Sequence, residues 1–294
     1  MGNSVVDQSF WFVRIVETKA QVRARLRRWQ DAGEKVTLVP TMGALHKAHT
    51  DLVRLAKRSG RAAVSIFVNP TQFAPGEDFE RYPRDLEADA GLLRKGGADL
   101  LFAPAAEEVY PRGLEDLTRV EVPGLSGDLC GAYRPTHFAA VTSVVARLLL
   151  ITLPDAVIFG RKDYQQLLIL RRMVEDLHIP VEVIEGPITR EGDGLAMSSR
   201  NRYLSAEERH IAPTLNQVLL ECAERLRNGD RNFARLERDA MTFLERKSFV
   251  PDYVAVRRAG DLGPPPSSGP CEWVILAAAW LGSARLIDNV TCSP

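Results

Sequence analysis

Two histidines three residues apart stand where an apolar segment gives way to a helical pattern. His46 and His49 belong to the stretch PTMGALHKAH, in which Gly43 permits a tight turn before the helix. Residues three apart share one face of a helix, so both imidazoles project from its first turn. Hydrogen-bond donors there suit phosphate oxygens and the charge that develops during phosphoryl displacement. One alternative is that these are two unconnected surface histidines. Another is a zinc site, for which no third ligand stands nearby.

The loop MSSRN is a second candidate for phosphate binding. Its hydroxyls, its guanidinium group and its backbone amides suit a triphosphate that must be held and then released. The residues concerned are Met197, Ser198, Ser199 and Arg200. A Ser-Ser-Arg run that is merely solvated is the alternative.

The segment FGRKDYQQ also passes from a strand into a helix. Lys162 carries a mobile point charge that suits a phosphate. Asp163 can orient this lysine or contact a ribose or a metal, and Gln166 offers hydrogen-bond donors and an acceptor. A helix N-cap with a solvated charge cluster is the alternative.

Neutral and basic hydrogen-bonding residues follow two further elements. Asn69 and Gln72 lie beside aromatic residues in FVNPTQF and suit a small polar substrate. Arg134 and His137 precede another helix and suit an anion. For Asn69 and Gln72, the alternative is a plain turn. For Arg134 and His137, the alternative is a histidine with a structural role only.

The elements that carry these residues alternate between strand and helix. Strands are predicted at residues 36–40, 63–68, 99–104, 156–160 and 181–185, and helices at 20–32, 45–59, 84–95 and 137–150. Most of the strands are continuous apolar runs, which is typical of strands covered on both faces. Right-handed crossovers then give an α/β fold with a Rossmann-like, doubly wound parallel sheet.

The pattern changes after residue 187. Ser205 and Glu208 form a capping box for a helix running toward Asn228, and a second helix is predicted at about 233–246. Strand patterns at 253–256 and 273–276 flank a turn-rich stretch at 263–270. We therefore expect a Rossmann-like domain at 1–187 and a smaller C-terminal α+β domain at 188–294, which contains the MSSRN loop and closes over the site.

Charge and composition limit the possible partners. Lysine plus arginine equals aspartate plus glutamate at 38 each, so no net field attracts nucleic acid or an anionic membrane. The sequence has neither an apolar run of about 20 residues nor a secretory signal pattern. The four cysteines are far apart without CxxC spacing, which favours free thiols and a cytoplasmic location.

Seven stretches together make the chain resemble the pantothenate synthetase family. They are PTMGALHKAH, SIFVNPTQF, YPRDLEAD, RPTHFAAV, FGRKDYQQL, REGDGLAMSSRNRYLS and AAWLGSARLIDN. The family belongs to the nucleotidyltransferases that share an HxGH signature with class I aminoacyl-tRNA synthetases. The resemblance covers nearly the whole chain, from about residue 36 to residue 289.

The resemblance implies a two-step ligase reaction on small-molecule substrates. The carboxylate of pantoate attacks the α-phosphorus of ATP, and the amine of β-alanine then attacks the acyl adenylate to give pantothenate and AMP. It further implies Mg²⁺ carried with ATP rather than held by a protein metal site, and a homodimer.

The resemblance also implies roles for individual residues. His49, as proton donor, acts with His46 and Lys162 in catalysis, and Gln72 and Gln166 recognise the acid. The implied ATP site comprises Thr41, Met42, Gly43, His46, His49, Gly160, Lys162, Asp163, Thr189, Met197, Ser198, Ser199 and Arg200. We expect Asn69, Arg134 and His137 to contribute to substrate binding.

Five positions depart from the usual family pattern. Ala48 and Ala140 replace glycines, Arg161 and Lys47 replace acidic residues, and Cys130 stands where a glutamate is common. A related ligase that couples a different amine, or a different acid, therefore remains an alternative. A nucleotide-binding pseudoenzyme is another alternative. A cytidylyltransferase-like enzyme is a third, although the paired glutamines and the C-terminal RLIDN segment argue against it.

Overall fold

The computed structural model describes residues 13–73, 79–266, 269 and 271–293. Its strands are β1 (Arg14–Val16), β2 (Val36–Thr41), β3 (Arg61–Ile66), β4 (Leu100–Phe102), β5 (Ala156–Gly160), β6 (Glu182–Gly186), β7 (Val250–Arg258), β8 (Trp273–Leu281) and β9 (Ala284–Cys292). Its helices are α1 (Lys19–Asp31), α2 (Lys47–Lys57), α3 (Leu86–Gly96), α4 (Ala106–Val109), α5 (Cys130–Tyr133), α6 (His137–Thr152), α7 (Tyr164–Asp176), α8 (Ala206–Ile211), α9 (Thr214–Arg227) and α10 (Phe233–Arg246).

Six strands form a parallel sheet in the order β1-β4-β3-β2-β5-β6. The apolar residues of β2 and β5 are almost fully buried, because helices cover both faces of the sheet. This confirms the predicted doubly wound α/β fold. The chain builds outward from β2 through β3 and β4 on one side, and from β5 to β6 on the other. The junction of β2 and β5 is therefore a topological switch point, where such sheets bind ligands.

A smaller antiparallel sheet, β7-β8-β9, follows in the C-terminal part. Helices α9 and α10 pack on it around a separate apolar core. The capping box of α8 is confirmed, since Ser205 and Glu208 exchange hydrogen bonds of 3.2 and 2.7 Å. The single helix predicted toward Asn228 is wrong: α8 ends at Ile211 and α9 begins at Thr214. Pro213 has no N–H to donate within a continuing helix, so the helix is interrupted there.

A cluster of buried residues, which we call the joint cluster, connects α7 to the C-terminal sheet. It packs Leu129, which immediately precedes α5, and side chains of α7 against side chains of β7, β8 and the turn after β7. Its members are Leu129, Tyr164, Leu168, Ala255, Ala259, Leu262, Val274 and Leu276. A buried hydrogen bond from the Tyr164 hydroxyl to the Ala259 carbonyl, at 2.9 Å, fixes the same contact. The C-terminal sheet is therefore held against the first turns of α7, close to the end of β5.

Candidate active site

A cavity of about 630 Å³ opens at the switch point between β2 and β5. It brings together segments that are remote in the sequence. The predicted site residues that line it are Thr41, Met42, Gly43, His46, His49, Gln72, Arg134, His137, Gly160, Lys162, Asp163, Gln166, Thr189, Met197, Ser198, Ser199 and Arg200. His49, Lys162 and Ser199 thus share one cleft, as phosphate binding at a single place requires. Asn69 is the one predicted site residue that is not part of this lining.

The turn that leads into α2 depends on a glycine and on a distant carboxylate. Gly43 has φ +82°, and a Cβ atom there would lie 2.9 Å from Oδ2 of Asp89. The buried Asp89 carboxylate accepts the backbone N–H groups of Ala44 and Leu45 at 3.0 and 2.8 Å. Burial raises the pKa of Asp89, while these two amides act in the opposite direction. Asp89 therefore shapes the loop before the histidines. The motif YPRDLEAD contains this residue, but its inward orientation is visible only in the structure.

The two imidazoles lie against each other at the start of α2. Their ring centroids are 4.2 Å apart, and the backbone N–H of His46 donates to Nδ1 of His49 at 3.2 Å. Because Nδ1 accepts this bond, the ring proton of neutral His49 is on Nε2. The network thus leaves His49 with one ring N–H donor, on a side chain that lines the cavity.

The electrostatic environment keeps both histidines neutral near pH 7. Burial, then the charges of Lys162 and Arg202, lower the pKa of His46 to about 4. Burial, then His46 and Lys162, lower the pKa of His49 to about 3. In the protein without ligand the imidazoles are hydrogen-bond donors rather than cations. A bound anion would raise both pKa values toward the ordinary range.

Lys162 lies in the 3₁₀ turn Arg161–Asp163 that follows β5. The charge of its neighbour is directed elsewhere, since Nε of Arg161 lies 3.2 Å from Glu185 and its guanidinium also contacts Thr291. Arg161 is not part of the cavity lining. The reversed charge at this position is thus neutralised outside the site.

The other departures fall into two groups. Ala48 and Cys130 line the cavity, whereas Ala140 and the exposed Lys47 do not. Lys47 pairs instead with Asp51 at 2.6 Å.

Cys130 lies in a polar part of the cavity wall. Its Sγ atom is 3.1 Å from the Tyr253 hydroxyl and 3.6 Å from both terminal nitrogens of Arg285. Arg285 is also paired with Asp252 at 2.7 Å. At the position where the resemblance leads us to expect a carboxylate, this chain therefore presents a cysteine side chain to an arginine that is already paired with Asp252. Arg285, Asp252 and Tyr253 were not predicted as site residues.

Gln72 is held from several sides. The fully buried Asn69 donates from its side-chain amide to Oε1 of Gln72 at 3.0 Å and accepts from the Tyr110 hydroxyl at 2.7 Å. The carbonyl of Gln72 accepts from Arg134 at 3.2 Å and lies 3.2 Å from Nδ1 of His137. Asn69 thus lies behind Gln72 and orients it, whereas Arg134 and His137 contact its backbone and also line the cavity.

The paired glutamines of α7 have different surroundings. Gln166 lines the cavity, as expected for a substrate-binding residue. Gln165 is buried, and its side chain donates to the carbonyls of Leu125 and Asp128 at 2.8 and 2.7 Å while accepting from the backbone of Cys130. Gln165 therefore holds the cavity-wall segment that precedes α5, a role that sequence reasoning missed.

The loop that contains MSSR is closed at its base. Residues Arg190 and Ala196 form an isolated antiparallel bridge, and the amide of Met197 donates to the Thr189 carbonyl at 3.0 Å. The Thr189 hydroxyl donates to Asp51 in α2 at 3.0 Å. This anchorage brings the loop toward the helix that carries both histidines.

Fold and site together define a class of protein. A parallel sheet with a cavity at its switch point, a helix start with two donors, a lysine and a hydroxyl-rich loop are typical of α/β enzymes that bind phosphate-containing ligands. Within the described residues there is no group of three or more His, Cys, Asp or Glu side chains able to hold a metal. Nor does any described helix have the length and apolar character to cross a membrane.

Comparison with known sequences gives the particular family. A family model described as Pantoate-beta-alanine ligase matches residues 14–291, so this chain belongs to that family, as its motifs predicted. The pantothenate synthetase of Thioalkalivibrio sulfidiphilus is 52% identical over 279 residues, which cover 95% of this chain and 97% of the relative. That of Halorhodospira halophila is also 52% identical, with coverage of 95% and 98%.

Solved structures agree with this assignment. Pantothenate synthetase from Thermus thermophilus superposes with a TM-score of 0.86 at 48% identity, over 94% of this chain and 98% of that one. Pantoate-beta-alanine ligase from Francisella tularensis, complexed with beta-gamma ATP and beta-alanine, gives a TM-score of 0.77 at 31% identity. That match covers 95% of this chain and 97% of the Francisella chain.

Proposed function

We propose that this chain joins pantoate to β-alanine through a pantoyl adenylate, converting ATP to AMP and pyrophosphate. The observation that carries the proposal is the convergence of His46, His49, Lys162 and the MSSR loop on one cavity. Membership of the family and the Francisella complex with beta-gamma ATP and beta-alanine support the choice of substrates.

In the first step, a carboxylate oxygen of pantoate attacks the α-phosphorus of ATP and pyrophosphate leaves. The ammonium of Lys162 and the donors of Met197–Arg200 hold the phosphates. The N–H on Nε2 of His49 donates to the charge that grows on the phosphoryl oxygens. Before ATP binds, His49 is neutral, and a neutral imidazole does not form an ion pair with a carboxylate. The triphosphate therefore does not have to displace a carboxylate from His49.

In the second step, the amine of β-alanine attacks the acyl carbon and AMP leaves. The amine loses a proton to solvent water when the amide forms, and the bond between the acyl carbon and the phosphate oxygen of AMP breaks. Phosphates around His49 raise the pKa of its imidazole from the low value of the ligand-free protein, which favours uptake of a proton from solvent. His49 then serves as proton donor to a phosphate oxygen of the leaving AMP.

Recognition of the acid falls to Gln72 and Gln166, two of the glutamines that line the cavity. Gln72 and Gln166 offer neutral donors and acceptors to the hydroxyl and carboxylate groups of pantoate. Asn69, Arg134 and His137 hold Gln72 in place through the contacts described above. This pre-ordering supports selection of a small hydroxy acid, because a rigid polar site penalises analogues that leave its groups unpaired.

Mg²⁺ enters with ATP, and Asp163 is a cavity carboxylate that suits a cation held mainly by phosphates and water. We further propose a cytoplasmic homodimer in which the part from residue 188 to 294 closes over the bound substrates. Closure would shield the adenylate from hydrolysis.

A related ligase that uses a different amine is the second candidate. The observation that favours it is Cys130, which brings a cysteine side chain to a wall position where the resemblance leads us to expect a carboxylate. The acid side of the cavity keeps both glutamines, so this candidate differs from the first only in the second substrate.

The decisive experiment is acid-dependent exchange of labelled pyrophosphate into ATP. We expect exchange with pantoate but not with acids that lack its hydroxyl groups, and AMP release when β-alanine is added. Exchange with pantoate followed by AMP release only with another amine would favour the second candidate. Absence of exchange with every acid would contradict both ligase functions and favour the pseudoenzyme.

A further inference from the structure

Two adjacent residues of β9, Asp288 and Asn289, contact both of the segments that approach the phosphates. They belong to the RLIDN segment, to which no role is assigned in the reaction described above. Both are buried, at 3% and 2% exposure, although both are polar. Neighbouring side chains of a strand point in opposite directions. One strand can therefore hold two different parts of the site at once.

Asn289 holds the backbone around the phosphate lysine. Its side-chain Nδ2 donates to the carbonyls of Arg161 and Lys162, each at 2.9 Å. Since a carbonyl oxygen can only accept, this pair of bonds fixes which end of the amide faces the turn. The orientation of the 3₁₀ turn after β5, and with it the origin of the Lys162 side chain, thus depends on an amide from the C-terminal sheet.

Asp288 holds the base of the MSSR loop. Its carboxylate forms a bidentate pair with Arg190 at 2.7 and 2.9 Å, and it also accepts from Asn216 at 3.1 Å. Arg190 in turn donates to the carbonyl of Gly194 at 3.0 Å, across the turn of the loop. A bidentate guanidinium–carboxylate pair fixes direction as well as distance.

The buried amide of Asn289 has a further property that fits a positioning role. Its Oδ1 atom is buried and has no hydrogen-bond partner among the described residues. An unsatisfied buried acceptor lowers stability, so the other hydrogen bonds of this amide must compensate for it. The two hydrogen bonds that Asn289 donates to the turn around Lys162 explain why a polar residue stands at this position.

We infer that Asp288 and Asn289 are positioning residues that set Lys162 and the Met197–Arg200 loop at a fixed separation for one nucleotide. Neither residue takes part in bond making or breaking. The inference rests on the proposed function for the identity of the nucleotide.

The test is the pair of isosteric variants Asn289→Asp and Asp288→Asn, assayed by pantoate-dependent exchange and by calorimetric titration with MgATP. Asn289→Asp replaces the donor by an acceptor facing two carbonyls, and Asp288→Asn removes the charge that pairs with Arg190. We expect each variant to raise the KM for ATP by about tenfold or more, the scale of one net hydrogen bond, with the pantoate KM within about twofold.

A pH series separates positioning from general loss of structure. Protonation of the new carboxyl in Asn289→Asp restores one donor, so its ATP KM, relative to wild type, should recover as the pH falls from about 8 to about 5.5. The matched controls are Asn232→Asp, which keeps the acceptor that caps α10, and Asp239→Asn, which loses an exposed pair with Arg225. Neither control residue lines the cavity.

An unchanged ATP KM in both β9 variants would overturn the inference. So would a parallel loss of ATP affinity, pantoate affinity and thermal stability, because this pattern marks a structural role alone. If wild-type protein shows no exchange but binds MgATP, the proposed function fails. The MgATP dissociation constants of the variants, relative to wild type, then still decide the inference.

Discussion

At the residue scale, the site combines neutral imidazoles with one nearby ammonium group. Lys162 helps to lower the pKa values of both His46 and His49, so the three groups do not compete as cations before the nucleotide binds. The spacing of the histidines predicted their common face. The depth of their burial, and hence their charge state, could not be predicted from the sequence because it depends on β5 and on the MSSR loop.

We expect His49→Ala and Lys162→Ala each to lower the rate of adenylate formation by at least ~10²-fold, the scale of losing one transition-state donor. The fold should be retained, since neither side chain belongs to an apolar core. His210→Ala is the control, because this residue lies in α8 outside the cavity. Exchange kinetics and the melting temperature check the prediction, and full activity in both site variants would refute the roles given to them.

The lowered histidine pKa values make a prediction about acid stability. The unfolded chain binds protons at these histidines below about pH 6.5, whereas the folded protein does so only near pH 4 and 3. Their neutral burial thus costs no stability above pH 6.5, and stability is lost as the pH falls from there toward 3. The double variant His46→Asn with His49→Gln should show a smaller drop in melting temperature over this window. An equal drop would contradict the burial of neutral imidazoles.

At the element scale, the turn between β2 and α2 sets the geometry of the histidines. The sequence predicted a helix from residue 45, but α2 begins at Lys47, because His46 is the extended N-cap residue, with φ −146° and ψ −178°. Residues 43 and 44, with positive φ values of 82° and 52°, form the turn before it. The glycine in PTMG was visible in the sequence. The carboxylate of Asp89 that receives the turn could not be paired with it from the sequence alone.

Two glycines permit a matched test of this turn. Gly43→Ala combines a left-handed conformation, which costs about 1 kcal/mol, with a Cβ atom 2.9 Å from Asp89. Gly33→Ala, at φ +77°, meets no atom within 4 Å and so carries the backbone strain alone. We expect both variants to be less stable to urea, and only Gly43→Ala to weaken ATP binding. Equal ATP affinity in the two variants would show that the turn does not shape the site.

Helices and strands were predicted accurately where local sequence signals mark their ends. The ranges 156–160 and 233–246 were predicted with the bounds that β5 and α10 have, since apolar runs and caps mark both. Strand β9 was missed because ARLIDNVTC mixes charged and apolar residues, which become a strand only through pairing with β8. The short edge strand β1 was missed for the same reason, since its partner β4 is remote in the sequence.

At the scale of the whole molecule, the joint cluster connects α7 to the C-terminal sheet beside the cavity. Tyr164 and Leu168 of α7 meet residues of β7 and β8 there, so the C-terminal sheet is held near the end of β5. The change of sequence pattern after residue 187 predicted two parts, with the MSSRN loop of the second part near the site. The contacts between them are long-range and carry no sequence pattern of their own.

Two leucine-to-alanine variants test whether the joint cluster affects ATP binding. Leu168→Ala in the joint cluster and Leu226→Ala in the core of the C-terminal part should each lower stability by about 2–5 kcal/mol. Below the melting temperature, we expect only Leu168→Ala to raise the KM for ATP, since of the two leucines only Leu168 lies between α7 and the C-terminal sheet. A similar KM in both variants would mean that the joint does not set the cavity.

The central step of the proposed reaction is the bonding of the acid's carboxylate to the α-phosphorus of ATP within this cavity. Pantoate labelled with ¹⁸O in its carboxylate tests this step directly. Attack at phosphorus followed by amide formation must leave one labelled oxygen in AMP and the other in the amide product, detected by mass spectrometry. AMP without label, in a reaction that still forms the amide, would contradict the account.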